Sequence, residues 1–204
     1  MKHGRNSQIM PVIIIVIIVV VSVAAIVTVA RNLFFNGGGD TNQTEQQTPA
    51  DEQALLSTTA DRGVRMTVRG EITADEKFRS YQIVITPTKR TMTTYAGYLD
   101  SVIASASYDN NTRAYEEFVF ALNRADMVKG EPLEGEENDR RGLCSGGKIL
   151  EFETIQNDQT VEMLWTSTCR NAPGSLKANS TQIGDLFTAQ IPAGRDLLKT
   201  IRNN

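Results

Sequence analysis

Two stretches in the first half of the chain alternate apolar with polar side chains. They cover residues 64–68 and 81–85, and a polar turn separates them. A period of two is typical of a strand with one buried face, so the pattern predicts two strands. Pro87 interrupts the second stretch, and residues 90–94 are predicted to form a third strand.

Farther along, apolar residues recur at spacings of three and four, which is typical of helices. The spacing predicts a helix over residues 95–106 and another that begins near Thr112 and stops at Gly130. The second helix would bury one stripe of side chains. This stripe consists of Tyr115, Phe118, Leu122 and Ala125. An opening helix capped by Thr48 and two closing helices, the first capped by Ser180 or Thr181, are also predicted.

Residues 149–155 and 161–168 form a second pair of predicted strands around Asn157-Asp158, which suits a tight hairpin turn. Strands and helices follow one another without regular alternation. This order indicates the α+β class, with a mainly antiparallel sheet and about three to four helices in one domain.

The N-terminal part of the chain has a different character. Residues 9–30 contain no charged side chain, and about 20 apolar residues suffice for a helix that crosses a bilayer. We therefore expect a transmembrane helix at 9–30 between a cytoplasmic tail at 1–8 and a flexible linker at 31–47, with a folded domain at 48–204. The alternative is a cleaved signal peptide, whose apolar region is normally only 7 to 15 residues long.

The direction of insertion follows from the basic residues. Lys2, Arg5 and the terminal amine precede the apolar run, whereas Arg31 alone follows it closely. The positive-inside tendency places the N-terminus in the cytoplasm and the domain outside it. The expected localisation is the cell membrane, crossed once, with the lipid bilayer as the partner of residues 9–30.

The charge of the domain excludes one class of partner. The chain has 21 Lys and Arg against 24 Asp and Glu, a formal net charge of −3, and every carboxylate lies at Asp40 or beyond. A mildly acidic domain lacks the basic surface that binds phosphate backbones. Nucleic acid is therefore not an expected partner.

The domain lacks the residues that several kinds of active site and metal site require. The only histidine is His3, which excludes a Ser-His-Asp or Cys-His centre and an imidazole zinc site from the domain. Ser145-Gly146-Gly147-Lys148 fits the Ser-x-x-Lys pattern of penicillin-binding enzymes, but it leads into a predicted strand and has no companion motifs. We interpret it as a bend. No catalytic, metal-binding or cofactor-binding residue is predicted, and no cofactor. The acidic segment 131–139 is interpreted as a solvated loop, with a calcium loop as the alternative.

Cys144 and Cys169 are the only cysteines, and we predict that they form a disulfide. If Gln156 faces Gln159 across the turn, Cys169 faces Gly146 in the extended ladder. A bulge at Gly146-Gly147 would then bring the sulfurs together. Such a pair is normally oxidised outside the cytoplasm.

Three segments carry a family resemblance. Arg141-Gly-Leu-Cys144, Leu164-Trp-Thr-Ser-Thr-Cys169 and Tyr115-Glu-Glu-Phe118 resemble a family of uncharacterised, single-pass membrane-anchored envelope proteins from bacteria with reduced genomes. The resemblance covers most of the domain and implies no activity.

The sequence favours a non-catalytic binding or accessory module of the cell envelope, whose partner is an envelope protein or a surface polymer. The alternative is an envelope enzyme that uses carboxylates on glycans, because two acids suffice for that chemistry. A groove with two carboxyl groups would favour the enzyme, and a flat apolar surface would favour the binding module.

Overall fold

The structure is a computed structural model, and it describes residues 49–98 and 100–202. Residues Thr48–Asn204 form one compact unit by their internal contacts. The predicted tail, transmembrane helix and linker at 1–47 lie outside the described residues, as does Thr48. Within the described ranges, no helix has the length and apolar character needed to cross a membrane.

A single antiparallel sheet of six strands forms one layer of the domain, in the order β4-β3-β2-β1-β5-β6. The strands are β1 (Arg62–Arg69), β2 (Arg79–Ile85), β3 (Lys89–Ala96), β4 (Ser101–Asp109), β5 (Ile149–Gln156) and β6 (Gln159–Ser167). The first four strands form a meander, and the β5–β6 hairpin pairs with the other side of β1. Strands β4 and β6 are therefore the two edges of the sheet.

Four α-helices in the described residues form the second layer. They are α1 (Ala50–Leu56), α2 (Thr112–Arg124), α3 (Ser180–Ala189) and α4 (Gly194–Arg202). Short 3-10 turns occupy Asp75–Lys77 and Gly135–Asn138. The α+β class and the antiparallel sheet are thus confirmed.

The core lies between the helices and one face of the sheet. Met66, Ile83, Met92 and Phe152 lie side by side on four neighbouring strands and are buried. Phe187 of α3 contacts Phe152 and meets Phe118 of α2 edge to face, with 5.3 Å between the ring centroids of the two helical residues. The predicted stripe of α2 is buried in this core.

The predicted helix over residues 95–106 is wrong, because residues 101–106 lie in strand β4 and residues 95–96 end strand β3. Ala104, Ala106 and Tyr108 pack against the core, while Ser105 and Ser107 are exposed on the other face. Because these side chains are small, the alternation of apolar and polar residues is weak in β4. The spacing of the larger residues therefore led to the prediction of a helix. The pairing of β3 with β4 decides the conformation.

Several predicted helix ends also shift. Pro49, rather than Thr48, occupies the N-cap position of α1. Asn111 caps α2, and Asn179, rather than Ser180 or Thr181, caps α3; each accepts with its side-chain oxygen. Helix α2 ends at Arg124, and Gly130 instead forms a bridge with Leu176.

The β5–β6 hairpin turns at Asn157 and Asp158, as predicted. Both residues have positive φ, 51° and 63°, as a two-residue type I′ turn requires. Gln156 pairs with Gln159, but the register shifts by one residue beyond Ile155 and leaves Val161 as an extra residue in β6. The bulge therefore lies at Val161, and the prediction of a bulge at Gly146-Gly147 is wrong.

Candidate functional site

The predicted disulfide is present at the base of the β5–β6 hairpin. Cys144 and Cys169 are bonded, with 5.6 Å between their Cα atoms. Gly147 passes so close to the bond that a Cβ at this position would lie 2.7 Å from the Cys144 sulfur. Only glycine fits there, which explains the glycine in the motif. Ser145 and Lys148 are exposed in this turn, so the Ser-x-x-Lys match is a bend.

The disulfide anchors the segment 131–147 against the second face of the sheet. Trp165, Ile149 and Cys144 are buried together, with Leu133 packed against them. Trp165 therefore has a packing role in this small cluster. It also fixes the position of the chain that approaches the edge of β6.

Two buried carboxylates on the same face are paired with arginines. Arg65 donates two hydrogen bonds to Glu153, one of them 2.9 Å from Nε to Oε1, and Thr160 donates a third to Oε2. Glu151 accepts from Nε of Arg140 at 2.8 Å. Arg140 thereby ties the segment 131–147 to the sheet.

The predicted acidic loop places its charges apart from this network. Glu131, Glu134, Glu136 and Glu137 are exposed, and Asp139 forms an ion pair with Arg141. Hydrogen bonds from Arg141 lower the pKa of Asp139 to about 2. In the part of the chain that the structure describes, no three His, Cys, Asp or Glu side chains are grouped as ligands for a metal ion.

A cleft of about 450 Å³ opens along the first half of β6. Ala50, Asp51 and Ala54 of α1 form one wall, and Pro132, Leu133 and Asn138 form the other. The floor is the strand itself, through Thr160, Val161, Glu162 and Met163. The volume lies in the usual range for ligand sites, about 300 to 1,000 Å³.

The backbone of β6 is available in this cleft. Farther along the strand, Trp165 donates its N–H to Oγ of Ser175 and accepts from the N–H of Leu176, each at 3.0 Å. Because backbone groups point alternately to either side of an antiparallel strand, those of Met163 also face away from β5. Among the described residues, no backbone group pairs with them.

Glu162 is the unusual side chain of the site. It lies on the core side of β6, opposite Thr154, and both its carboxylate oxygens are shielded from solvent. Neither oxygen has a hydrogen-bond partner among the described residues. Burial, and then the negative charge of Asp51, raise the pKa of Glu162 to about 7.

Neither Asp51 nor Glu162 was predicted as a site residue. The available signal was a carboxylate within an apolar strand, at the position where alternation directs a side chain to the core. The cleft also needs α1 and residues 132–138, which are distant from β6 in the sequence. No protein-family model and no curated protein matches the chain.

Proposed function

We propose that the chain is a non-catalytic binding module of the cell envelope. Residues 9–30 anchor it in the membrane as a single transmembrane helix, and the domain at 48–204 faces away from the cytoplasm. The observation that carries the proposal is the cleft beside the first half of β6, where the outward-facing backbone groups of Met163 have no backbone partner among the described residues. A concave site whose backbone groups and shielded carboxylate lack partners in the described part of the chain is suited to recognition.

The disulfide supports the extracytoplasmic placement of the domain. Cysteine pairs persist in oxidising compartments and are rare in the cytosol, where thiols are kept reduced. Protease added to spheroplasts tests the topology. Cleavage in the linker 31–47 and loss of the domain are expected before the membrane is broken, and protection of the domain would reverse the orientation.

Binding through the cleft is tested by photo-crosslinking in the native cells. A photoreactive residue at Val161, half-exposed in the cleft, should form one defined adduct. The matched control is Phe120, which is 48% exposed on α2 and does not line the cleft. Identical adducts from both positions, or none from Val161, would contradict a binding role for the cleft.

A carboxylate enzyme that acts on glycans is the second candidate, because the cleft contains two acids. A pKa of about 7 is what a general acid needs at neutral pH, and Glu162 has it, while Asp51 supplies the second carboxylate. Release of reducing sugar from cell-wall glycans by the full-length chain, lost in Glu162→Gln, would establish this function instead. We expect no release above the level of the variant.

A further inference from the structure

We infer that the cleft binds an extended peptide segment that adds to the first half of β6 as a seventh strand and directs a lysine or arginine side chain to Glu162. The inference rests on the proposed binding function and specifies its ligand. Such strand addition uses backbone hydrogen bonds for affinity and side-chain pockets for specificity.

The protein already pairs the second half of the β6 edge with its own chain. Ser175 and Leu176 bond to both backbone groups of Trp165, and Leu176 also bridges to Gly130. The first half presents the same groups at Met163 without such a segment among the described residues. A ligand strand there would continue the pairing that Ser175 and Leu176 begin.

The walls of the cleft leave room for a strand at the edge. Helix α1 lies on the core side of β6 and residues 132–138 lie on the other side, and the cleft between them has a volume of about 450 Å³. Val161 projects into this space and is half-exposed. The four β6 residues that line the cleft extend over about 13 Å. This length is enough for side chains on both faces of a bound strand to contact the cleft.

The charge of the site selects the side chain of the ligand. Both oxygens of Glu162 are shielded from solvent and lack a hydrogen-bond partner among the described residues, and Asp51 adds a second negative charge to the same cleft. A buried carboxylate gains most from a cation that also donates hydrogen bonds, as the side chains of lysine and arginine do. Burial and the charge of Asp51 raise the pKa of Glu162, and a cation bound beside the carboxylate would lower it again.

The opposite edge of the sheet offers backbone groups but no such selectivity. Strand β4 is the other edge of the sheet in the described residues, and its Val102 is 64% exposed. Its core-side residues Ala104 and Ala106 are small and uncharged. Strand addition at β4 would therefore not require a basic residue, which separates the two edges experimentally.

A random nine-residue peptide library displayed on phage, selected against the full-length chain in detergent, tests the inference. Enriched peptides should share one lysine or arginine at a fixed position between residues of high strand propensity. A synthetic enriched peptide should bind Glu162→Gln at least tenfold more weakly than the unchanged chain. The control Glu117→Gln, on the exposed side of α2, should bind normally.

Backbone pairing is tested on the peptide itself. Two versions of the peptide are N-methylated at every second backbone nitrogen, one at the odd positions and the other at the even positions. One of these two methylation phases should abolish binding and the other should be tolerated, because alternate N–H groups of the peptide face the sheet. Spermidine and a glucosamine oligomer are the competing small cations. Equal effects of the two methylation phases, or binding of either cation as tight as that of the peptide, would overturn the inference.

The selection separates this inference from the proposed function. If Val161 crosslinks a partner in cells but no peptide is enriched, or enriched peptides lack a basic residue, the inference fails and the binding function stands. If the crosslink also fails, both are wrong. Because glutamine is nearly isosteric with glutamate and needs no counter-charge, Glu162→Gln should fold, and its melting curve verifies this before binding is measured.

Discussion

The two faces of the β5–β6 hairpin differ in whether their buried carboxylates are paired with cations. On the face away from the helices, Glu151 and Glu153 are 4% and 5% exposed, and each is bonded to an arginine. On the core side, Glu162 has both oxygens shielded and unpartnered in the described part of the chain. The three glutamates lie on paired strands, yet among the described residues only Glu151 and Glu153 have a cation that compensates their charge.

This difference separates structural from functional polar groups. A buried charge is tolerated when it is paired and hydrogen-bonded, and it is costly otherwise. The Arg65–Glu153 pair is complete within the domain, so it needs nothing from outside. Within the described residues, Glu162 keeps unused hydrogen-bonding capacity beside an open cleft, and this is the property that a ligand can satisfy.

The largest effect is expected from removing the disulfide, which supports both regions at once. Replacing Cys144 and Cys169 by serine should lower the free energy of unfolding by about 3.5 kcal/mol, because the bond restricts a loop of 25 residues in the unfolded chain. Chemical denaturation of the full-length chain in detergent measures the loss. Unchanged stability, or two alkylatable thiols in protein from its native compartment, would contradict the structural role.

Breaking one ion pair on the paired face should cost nearly as much. Arg65→Met leaves the buried Glu153 with Thr160 as its remaining partner and should lower the free energy of unfolding by about 3 kcal/mol. The control is Arg113→Met on the exposed side of α2, where we expect a change within about 0.5 kcal/mol.

The double variant Arg65→Met, Glu153→Met sharpens this test. Removing both charges leaves no unpaired ion, so most of the lost stability should return. If the double variant is as unstable as the single one, the arginine acts through packing rather than through charge.

The sequence predicted the hairpin that carries both regions but not the difference between them. Alternation located the strands, and Asn157-Asp158 located the turn, because both signals are local. Strand β4 was missed because Ala104, Ser105 and Ala106 differ too little in polarity to show a period of two. Its conformation depends on pairing with β3, which is a tertiary effect.

The cleft could not be predicted for a similar reason. The strand pattern was sufficient to place Glu162 on the core side of β6, but its lack of a partner depends on α1 and residues 132–138. These segments reach β6 only in the folded chain. The disulfide was predictable because only two cysteines are present.

The substitution Glu162→Gln is expected to have a smaller effect on the free energy of unfolding, and of opposite sign, because it should stabilise the domain. The pKa of this carboxyl is raised in the folded state, so the folded chain binds the proton more tightly than the unfolded chain does. The stability of the unchanged protein should therefore fall as pH rises from the ordinary value of 4.5 to about 7, and then level off.

Glutamine resembles the protonated acid and has no such dependence. At pH 8 the variant should be more stable than the unchanged protein by on the order of 1 to 2 kcal/mol, after allowance for solvent screening, and at pH 4 the two should be equal. Denaturation midpoints measured across pH 4 to 8 give the comparison. Parallel pH profiles would show that Glu162 is compensated in the folded chain.

The smallest effect is expected from Asp51→Asn, which separates the two causes of the raised pKa. Burial is the larger cause and the charge of Asp51 the smaller, so removing that charge should lower the pKa of Glu162 while leaving it above 4.5. NMR titration of the Glu162 side-chain carboxyl measures the shift, with Glu117→Gln on α2 as the control that should leave it unchanged. A return of the pKa to its ordinary value would mean that Asp51, rather than the shielding of the cleft, controls this carboxyl. A basic ligand would then be bound by two exposed acids, and the contrast with the arginine-paired face would be one of charge alone.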